Sequence, residues 1–396
     1  MKKSLLALLL LSTLPAHAKI ADISRGEYLA RAGDCTACHT SSNDKPFAGG
    51  KAIETPIGVI YSTNITPDVK SGIGEYSFSD FDTAMREGKA KDGHNLYPAM
   101  PYSSFAKLSD EDMHALYDYF MQGVLPQDVG NRNSDIPWPL NIRWPLAVWQ
   151  TLFHEDKKFV PDAGHDAQWN RGAYLVQGLG HCGACHTPRG LALQEKGLTQ
   201  DSADYLSGSE IGGWYAPNIR GSQRDEATLV ALLKTGQSVH KSFAGPMAEV
   251  VTNSTQYLSD EDLQSIAVYL KSLSAPVATA EKTAAVSVNT SAEKLYKTYC
   301  STCHGVNGQG HDYVIPALAG NGLVTIDNPI NLINVISMGA ETPRTEGNLS
   351  YKMPGYKGVL DNQQMADVLT YIRGSWGNQA AAVSASDVSK VTKDKK

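Results

Sequence analysis

Beyond its first residues, this 396-residue sequence has no apolar run long enough to cross a bilayer. The chain is therefore expected to be soluble or to meet a membrane only at its surface. It also lacks a basic excess: 35 Lys and Arg stand against 41 Asp and Glu, a formal charge of −6. That balance argues against nucleic acid, whose binders carry basic stripes. No glycine-rich nucleotide fingerprint is found, and glycine pairs such as Gly49-Gly50 stand alone. No set of residues has the look of a substrate-transforming site. Cysteine is scarce, and none of the six lies outside a pair.

What is present begins at the N-terminus. Lys2 and Lys3 precede an apolar run from Ser4 to Leu14, followed by Ala16-His17-Ala18. This is the layout of a secretory signal, with cleavage expected after Ala18. Removing residues 1–18 takes away two lysines and moves the formal charge from −6 to −8. No cysteine follows the cleavage site, so a lipid anchor is not expected there. The length leaves room for several domains.

The cysteines read "GDCTACHT", "GHCGACHT" and "TYCSTCHG". Each pair, Cys35/Cys38, Cys182/Cys185 and Cys300/Cys303, is followed at once by His39, His186 or His304. A disulfide framework would scatter its cysteines through the fold. A thioredoxin-like site would need one pair beside a βαβ pattern. A structural zinc site needs four ligands from neighbouring pairs, whereas these pairs stand more than a hundred residues apart. CxxCH is the attachment signature of c-type haem. Thiols at i and i+3 share a helix face and can bond both vinyl groups of one porphyrin, and the adjacent imidazole becomes the proximal iron ligand.

The motif recurs within a longer repeat. "RGEYLARAGDCTACH", "RGAYLVQGLGHCGACH" and "AEKLYKTYCSTCH" each place a helix before it, the first with Ser24 and Glu27 spaced as a capping box. A middle helix follows in each: Phe81, Ala84, Met85; Leu229, Leu232, Leu233; Leu332, Val335, Ile336. Glycine stands at i+7 each time, at Gly88, Gly236 and Gly339, suited to a helix exit. A closing helix carries Met113, Leu116, Tyr117, Phe120, then Leu263, Ile266, Ala267, Leu270, then Met365, Val368, Leu369, Ile372. Ser109, Ser259 and Asp361 are its expected N-caps. The pattern predicts an all-α fold of three tandem class I cytochrome c-like haem domains, at 20–125, 166–274 and 288–377. A Trp/Pro-rich strap, 126–165, joins the first two. A flexible linker, 275–287, and a disordered tail, 378–396, complete the chain. The strap sequence "IPWPLNIRWPLAVW" reads as packed between the first two domains, with a docking or membrane-interface surface as the alternative.

A thioether is the usual second axial ligand in electron-carrying cytochromes c. Met85, Met113 and Met365 fall on apolar helix faces and read as core. Met100 in "LYPAMPY", Met247 in "FAGPMAE" and Met353 in "YKMPGY" read as loop methionines beside proline. They follow their histidines by 61, 61 and 49 residues. They are the expected sulfur ligands. His94 and His240 compete for that role and read as solvated loop histidines; His181 reads as a surface residue.

With these motifs in place, the chain resembles the triple-haem cytochrome c subunit of membrane-associated dehydrogenases. Flavin-dependent gluconate 2-dehydrogenase and the quinohaemoprotein alcohol dehydrogenases are examples. The resemblance runs from about residue 22 to 377 and rests on "FAGGKAIETPIGVIYSTNITPD", "PLNIRWPLAVW", "HDAQWNRGAYLVQGLGHCGACHTPRG" and "CSTCHGVNGQG". It implies three covalent haem c groups and no catalysis by the chain itself. The partner would be a catalytic dehydrogenase subunit carrying flavin or pyrroloquinoline quinone. Electrons would pass to ubiquinone or another respiratory acceptor at the periplasmic face of the inner membrane. The alternatives are a peroxidase-like haem enzyme with one open iron site, or a soluble periplasmic electron shuttle.

Overall fold

The computed structural model describes residues 24–275 and 289–393. The expected signal segment and nearly all of the expected linker lie outside the described residues. Each motif-bearing segment follows one plan. A helix leads into the CxxCH turn: residues 24–32, Ala167–Gln177 and Thr290–Tyr299. A middle helix follows: Phe78–Glu87, Glu226–Thr235 and Ile330–Met338. A closing helix then crosses the first: Asp110–Asp118, Asp260–Ser272 and Asn362–Gly374.

Local chemistry sets the ends of these helices. Ser109 and Ser259 each accept the N3 backbone N–H, from Asp112 and Asp262, at 3.1 Å. Asp361 and Gln364 form a reciprocal capping box, as do Ser77 and Asp80. Gly88 and Gly236 leave their helices in the left-handed conformation, where a side chain would be strained. Ser24 does not cap the first helix as expected: it is already helical, and Glu27 pairs instead with Arg31 at 2.7 Å.

The first two segments share one hydrophobic core, from Leu29 and Leu116 through Trp169 and Leu175 to Leu263 and Leu270. The third segment has its own, built on Tyr296, Ile333, Val368 and Leu369. In the shared unit the leading and closing helices nearly touch. A Cβ on Gly26 would lie 2.0 Å from the Ala115 carbonyl oxygen, and one on Gly172 would lie 2.0 Å from that of Ser265. Beside these crossings the two segments exchange tyrosines. Asp112 receives Arg25 from its own segment (Nη2, 2.7 Å) and the Tyr174 hydroxyl from the next (2.5 Å). Asp262 receives Arg171 (Nη2, 2.7 Å) and the Tyr28 hydroxyl (2.5 Å). Each tyrosine oxygen also accepts the N-cap N–H of the opposite closing helix, from Ser109 or Ser259, at 3.2 Å. The contact is therefore pseudo-twofold. His181, expected at the surface, lies inside it, edge-on to Phe105 and 3.3 Å from the Gly33 carbonyl oxygen.

The third segment meets the second through polar groups. Asn331 clasps both backbone groups of Tyr215, at 2.9 and 2.7 Å, and the fully buried Asn334 donates to the Gly213 carbonyl at 2.8 Å.

The chain is helix-rich, as expected, and among the described residues it also carries four short antiparallel hairpins that the periodicity did not register: Ala52–Thr55 with Gly58–Tyr61, Ser209–Ile211 with Trp214–Ala216, Gln237–Ser238 with Lys241–Ser242, and Gly339–Glu341 with Lys352–Pro354. The second turns on Gly212-Gly213, both at positive φ, the geometry that suits a two-residue hairpin loop. The tail is not disordered: Ala385–Lys393 is a helix packed against Asn362–Gly374, with Val383 and Val388 buried. The buried Arg373 guanidinium explains the docking, because its Nε donates to the tail carbonyl of Ala381 at 2.8 Å. The strap packs between the first two segments, as expected, but not along its whole length. Asp135 pairs with Val59, Ile136 is buried, Gln150 reaches Glu87 and Gly88, Trp149 reaches Ala192 and Phe159 meets Tyr174 edge-on, while Trp138 and Trp144 are exposed.

Two outcomes follow from this packing. Tyr28→Phe removes one donor from Asp262 and should cost about 1–3 kcal/mol at neutral pH, read as a lowered urea midpoint. Burial pushes the Asp262 carboxyl up, but Arg171 and Tyr28 outweigh it and hold the group below its ordinary value. That stabilisation is complete above the ordinary carboxylate range and is lost as pH falls through the depressed value, so variant and wild type should converge in acid. Truncation after Asn378 should lower the unfolding midpoint of the third segment and leave the first two unchanged.

Candidate cofactor-binding sites

The three CxxCH turns are single helical turns, Cys35–His39, Gly183–His186 and Ser301–His304. No two of the six cysteines are joined in a disulfide. The first of each pair, Cys35, Cys182 and Cys300, packs half-buried against a hydrophobic core, and the second, Cys38, Cys185 and Cys303, is exposed. Burial pushes the Cys35 and Cys182 thiols up to about 12 and that of Cys300 up to about 11.

Each histidine is fixed in the same way. Nδ1 of His39 lies 2.7 Å from the Thr63 carbonyl oxygen, Nδ1 of His186 lies 2.7 Å from that of Pro217, and Nδ1 of His304 lies 3.1 Å from that of Pro316. A carbonyl can only accept, so the proton sits on Nδ1 and Nε2 keeps its lone pair. Burial also lowers the pKa of all three rings, only partly offset by the carbonyl, and this favours the neutral imidazole. These carbonyl partners went unread in the sequence. A signal existed: "TNI" and "PNI" repeat at 63–65 and 217–219, and Asn64 and Asn218 each accept the backbone N–H two residues on, at 2.9 Å. The threonine after the histidine was missed too. Thr40 and Thr187 hydroxyls accept the N–H of Phe47 and Leu206, at 2.9 and 3.0 Å, and so pin the loop that leaves the turn.

The three expected methionines sit in different settings. Met100 lies in a turn before the short helix Tyr102–Phe105 and packs on the shared core. Met247 is not in a loop but in the first turn of Pro246–Asn253, behind Gly245 at positive φ. Met353 lies in the strand Lys352–Pro354, opposite Ala340, and packs on the third core. The competing histidines face outward: His94 is held by Asp92 and His240 by Asp312, at 2.5 and 3.2 Å.

The first two turns face one another. His181, beside Cys182, reaches the Gly33 carbonyl oxygen at 3.3 Å, and a Cβ on Gly33 would lie 3.2 Å from Leu179. The donor set fits a c-type haem: two thiols one helical turn apart, beside an imidazole whose Nδ1 is already committed to a carbonyl and whose Nε2 is a free donor.

The cytochrome c family model matches residues 23–123 and 290–376. The chain is similar over its whole length to the gluconate 2-dehydrogenase cytochrome c subunit of Pantoea cypripedii, 48% identical and covering 96% of that protein. It is similar to the cytochrome c subunit of alcohol dehydrogenase (quinone) from Gluconacetobacter polyoxogenes, 46% identical over 93% of this chain and 84% of the relative. The fructose dehydrogenase cytochrome subunit of Gluconobacter japonicus is 39% identical over 95% of this chain and 84% of its own length. Matched along its length by proteins of one kind, and by the family model over its first and last CxxCH turns, the chain belongs to the cytochrome c family, among the electron-transfer subunits of dehydrogenase complexes.

Proposed function

We propose that this chain carries three covalent c-type haems and relays electrons from a catalytic dehydrogenase subunit to ubiquinone or another respiratory acceptor. The relatives' names point to oxidation of a sugar acid, an alcohol or a sugar by that partner. The charged, apolar and small-residue pattern of residues 1–18 supports export, and with it a place at the periplasmic face of the inner membrane. The observation that carries the reading is the threefold recurrence of a histidine whose Nδ1 is tied to a backbone carbonyl beside a CxxC pair.

Bound haem would supply a one-electron iron couple at each site. The chain's residues hold and shape that couple. Cys35 and Cys38, Cys182 and Cys185, and Cys300 and Cys303 would anchor it by thioether bonds. His39, His186 and His304 would hold the iron through Nε2, and Met100, Met247 and Met353 would supply thioether sulfur, which favours a higher potential than a second imidazole. Iron so held would exchange electrons rather than bind a substrate, which favours the relay over the peroxidase-like alternative. The shared core of the first two segments holds their turns at fixed separation, while the third is joined through its own polar seam.

Intact mass of the denatured, exported protein should carry three added macrocycles, and Cys300→Ala/Cys303→Ala should carry two. Fewer than three in the wild type would overturn the reading. Each single change of Met100, Met247 or Met353 to Ala should remove part of the far-red methionine-to-iron absorption of the oxidised protein. Asn64 supports the Thr63 carbonyl from a buried position, donating to the Gln127 carbonyl at 2.7 Å and accepting from the Thr66 hydroxyl at 2.7 Å. Asn64→Ala should lower stability by about 2–3 kcal/mol, because buried partners lose their bonds, while all three macrocycles stay attached. An unchanged unfolding midpoint would mean that Asn64 does not hold the loop.

A further inference from the structure

The strap between the first two segments leaves its middle uncovered. Trp138, Trp144 and Leu152 are 78%, 71% and 67% exposed, with Leu140, Ile142 and Val148 exposed beside them. The helix Pro145–Phe153 buries no residue, although only Gln150 and Thr151 in it are polar. The tripeptide Trp-Pro-Leu occurs twice, at 138–140 and 144–146. These side chains do not hold the strap in place. That is done by Ile136, by the Trp149 indole donating to the Ala192 carbonyl at 2.8 Å, and by Gln150 donating to the carbonyls of Glu87 and Gly88. The outward ridge is spare surface, and contiguous exposed apolar surface of this kind marks a contact site.

Its charge selects the contact. From Ile136 to His154 the acidic chain has no carboxylate. The one ionised side chain there is Arg143, whose guanidinium lies 4.0 Å from the centre of the Tyr97 ring and donates to the Asn95 carbonyl at 3.0 Å. A carboxylate-free ridge of tryptophan, leucine and proline with one cation complements an anionic headgroup layer, where indole rings settle at the half-wet boundary. No helix among the described residues is long and apolar enough to cross a membrane, so a lipid contact within them must be interfacial.

We propose that the ridge Trp138–Leu152 seats this protein on the surface of an anionic phospholipid bilayer. The inference rests on the reading that electrons leave toward a lipid-soluble quinone, and it gives that exit a direction. On the inner side of the same helix, Trp149 and Phe153 line one small cavity with Pro98 and Met100. Seating the ridge on lipid therefore turns the Met100 side of the first segment toward the membrane.

The test uses the full mature protein with its haems, sedimented with vesicles of phosphatidylethanolamine and phosphatidylglycerol, without dehydrogenase or quinone. Wild type should bind, its tryptophan emission should shift to the blue, and lipids brominated near the headgroup should quench it. Trp138→Ser/Trp144→Ser should weaken binding about tenfold or more. Leu349→Ser, also 75% exposed but on the third segment, should bind like wild type. Haem absorbance and unfolding midpoint, measured on each variant, separate loss of the ridge from loss of the fold. Absence of vesicle binding by wild type, or equal binding by the double variant, would overturn the proposal. If wild type ignores vesicles while the double variant alone loses its co-purifying dehydrogenase subunit, the ridge is a protein interface and the lipid assignment falls. The macrocycle count is read separately, so failure here leaves the haem assignment standing, and failure there is not mistaken for loss of lipid binding.

Discussion

One hydrogen bond, made three times, sets the demands on the rest of the chain. An imidazole can serve as a ligand through Nε2 only if Nδ1 keeps the proton, and a backbone carbonyl enforces that without a charge. The carbonyl must come from outside the turn, because a CxxCH turn has its own carbonyls directed along its helix. Here it comes from Thr63, Pro217 or Pro316, which are 24, 31 and 12 residues downstream. A loop must therefore return to the histidine and be stiff enough to hold its oxygen within a few tenths of an ångström. Proline removes freedom in two of the three cases. In the first, where threonine stands instead, Asn64 supplies the stiffness through its web to Thr66, Gln127 and Val129. The same web binds the strap to the first segment, so strap and site share one support.

The two kinds of seam between segments differ in physical character. Between the first and second, apolar burial is continuous and the ion pairs are supplemented across the boundary by tyrosine hydroxyls. Neither segment satisfies its closing-helix aspartate alone, since Asp112 and Asp262 each take a donor from the other half. Between the second and third, asparagine side chains grip backbone groups and each side keeps its own core. Cooperativity follows shared burial, so the first two segments should open together and the third apart from them. For a relay, this means one pair of sites at a distance fixed by the core and one site whose distance depends on a polar joint.

The sequence carried the periodic information well. The middle and closing helices of the threefold plan could be read because their apolar residues recur at i, i+3 and i+4, the leading ones because a similar stretch precedes each CxxCH, and Ser109, Ser259 and Asp361 could be read as caps because their chemistry is local. What escaped was non-local or short. The hairpins have strands of two to four residues, too brief for alternation to register. The tail helix is short, with only Val388 and Val391 on its apolar face, and the stretch leading into it is held by Arg373, a residue in another helix whose guanidinium donates to the Ala381 carbonyl. The tyrosine exchange was invisible because "RGEY" and "RGAY" look like intradomain motifs. Only the fold reveals that their arginines act within a segment and their tyrosines across the boundary. At the sites, the CxxCH residues were legible because their spacing is covalent chemistry. The carbonyl partners were not, since any residue has a carbonyl and only the returning loop selects one.

The strap is where local and global preferences disagree. Folding into the core would normally remove two tryptophans from water, and the strap has the length to turn inward. Its prolines prevent that. Pro139 and Pro145 follow Trp138 and Trp144 directly and fix the local backbone, and Pro145 takes the first position of the helix that Trp144 leads into. Ile136 and Trp149 fasten the stretch at both ends. A segment so braced cannot relax by repacking, and the water-exposed indoles represent unspent transfer free energy. That energy is available to whatever surface covers the ridge. A bilayer interface can accept it without shape complementarity, asking only for an apolar ridge of roughly the right depth and for the absence of carboxylates. Residues 136–154 carry the exposed apolar side chains and lack the carboxylates.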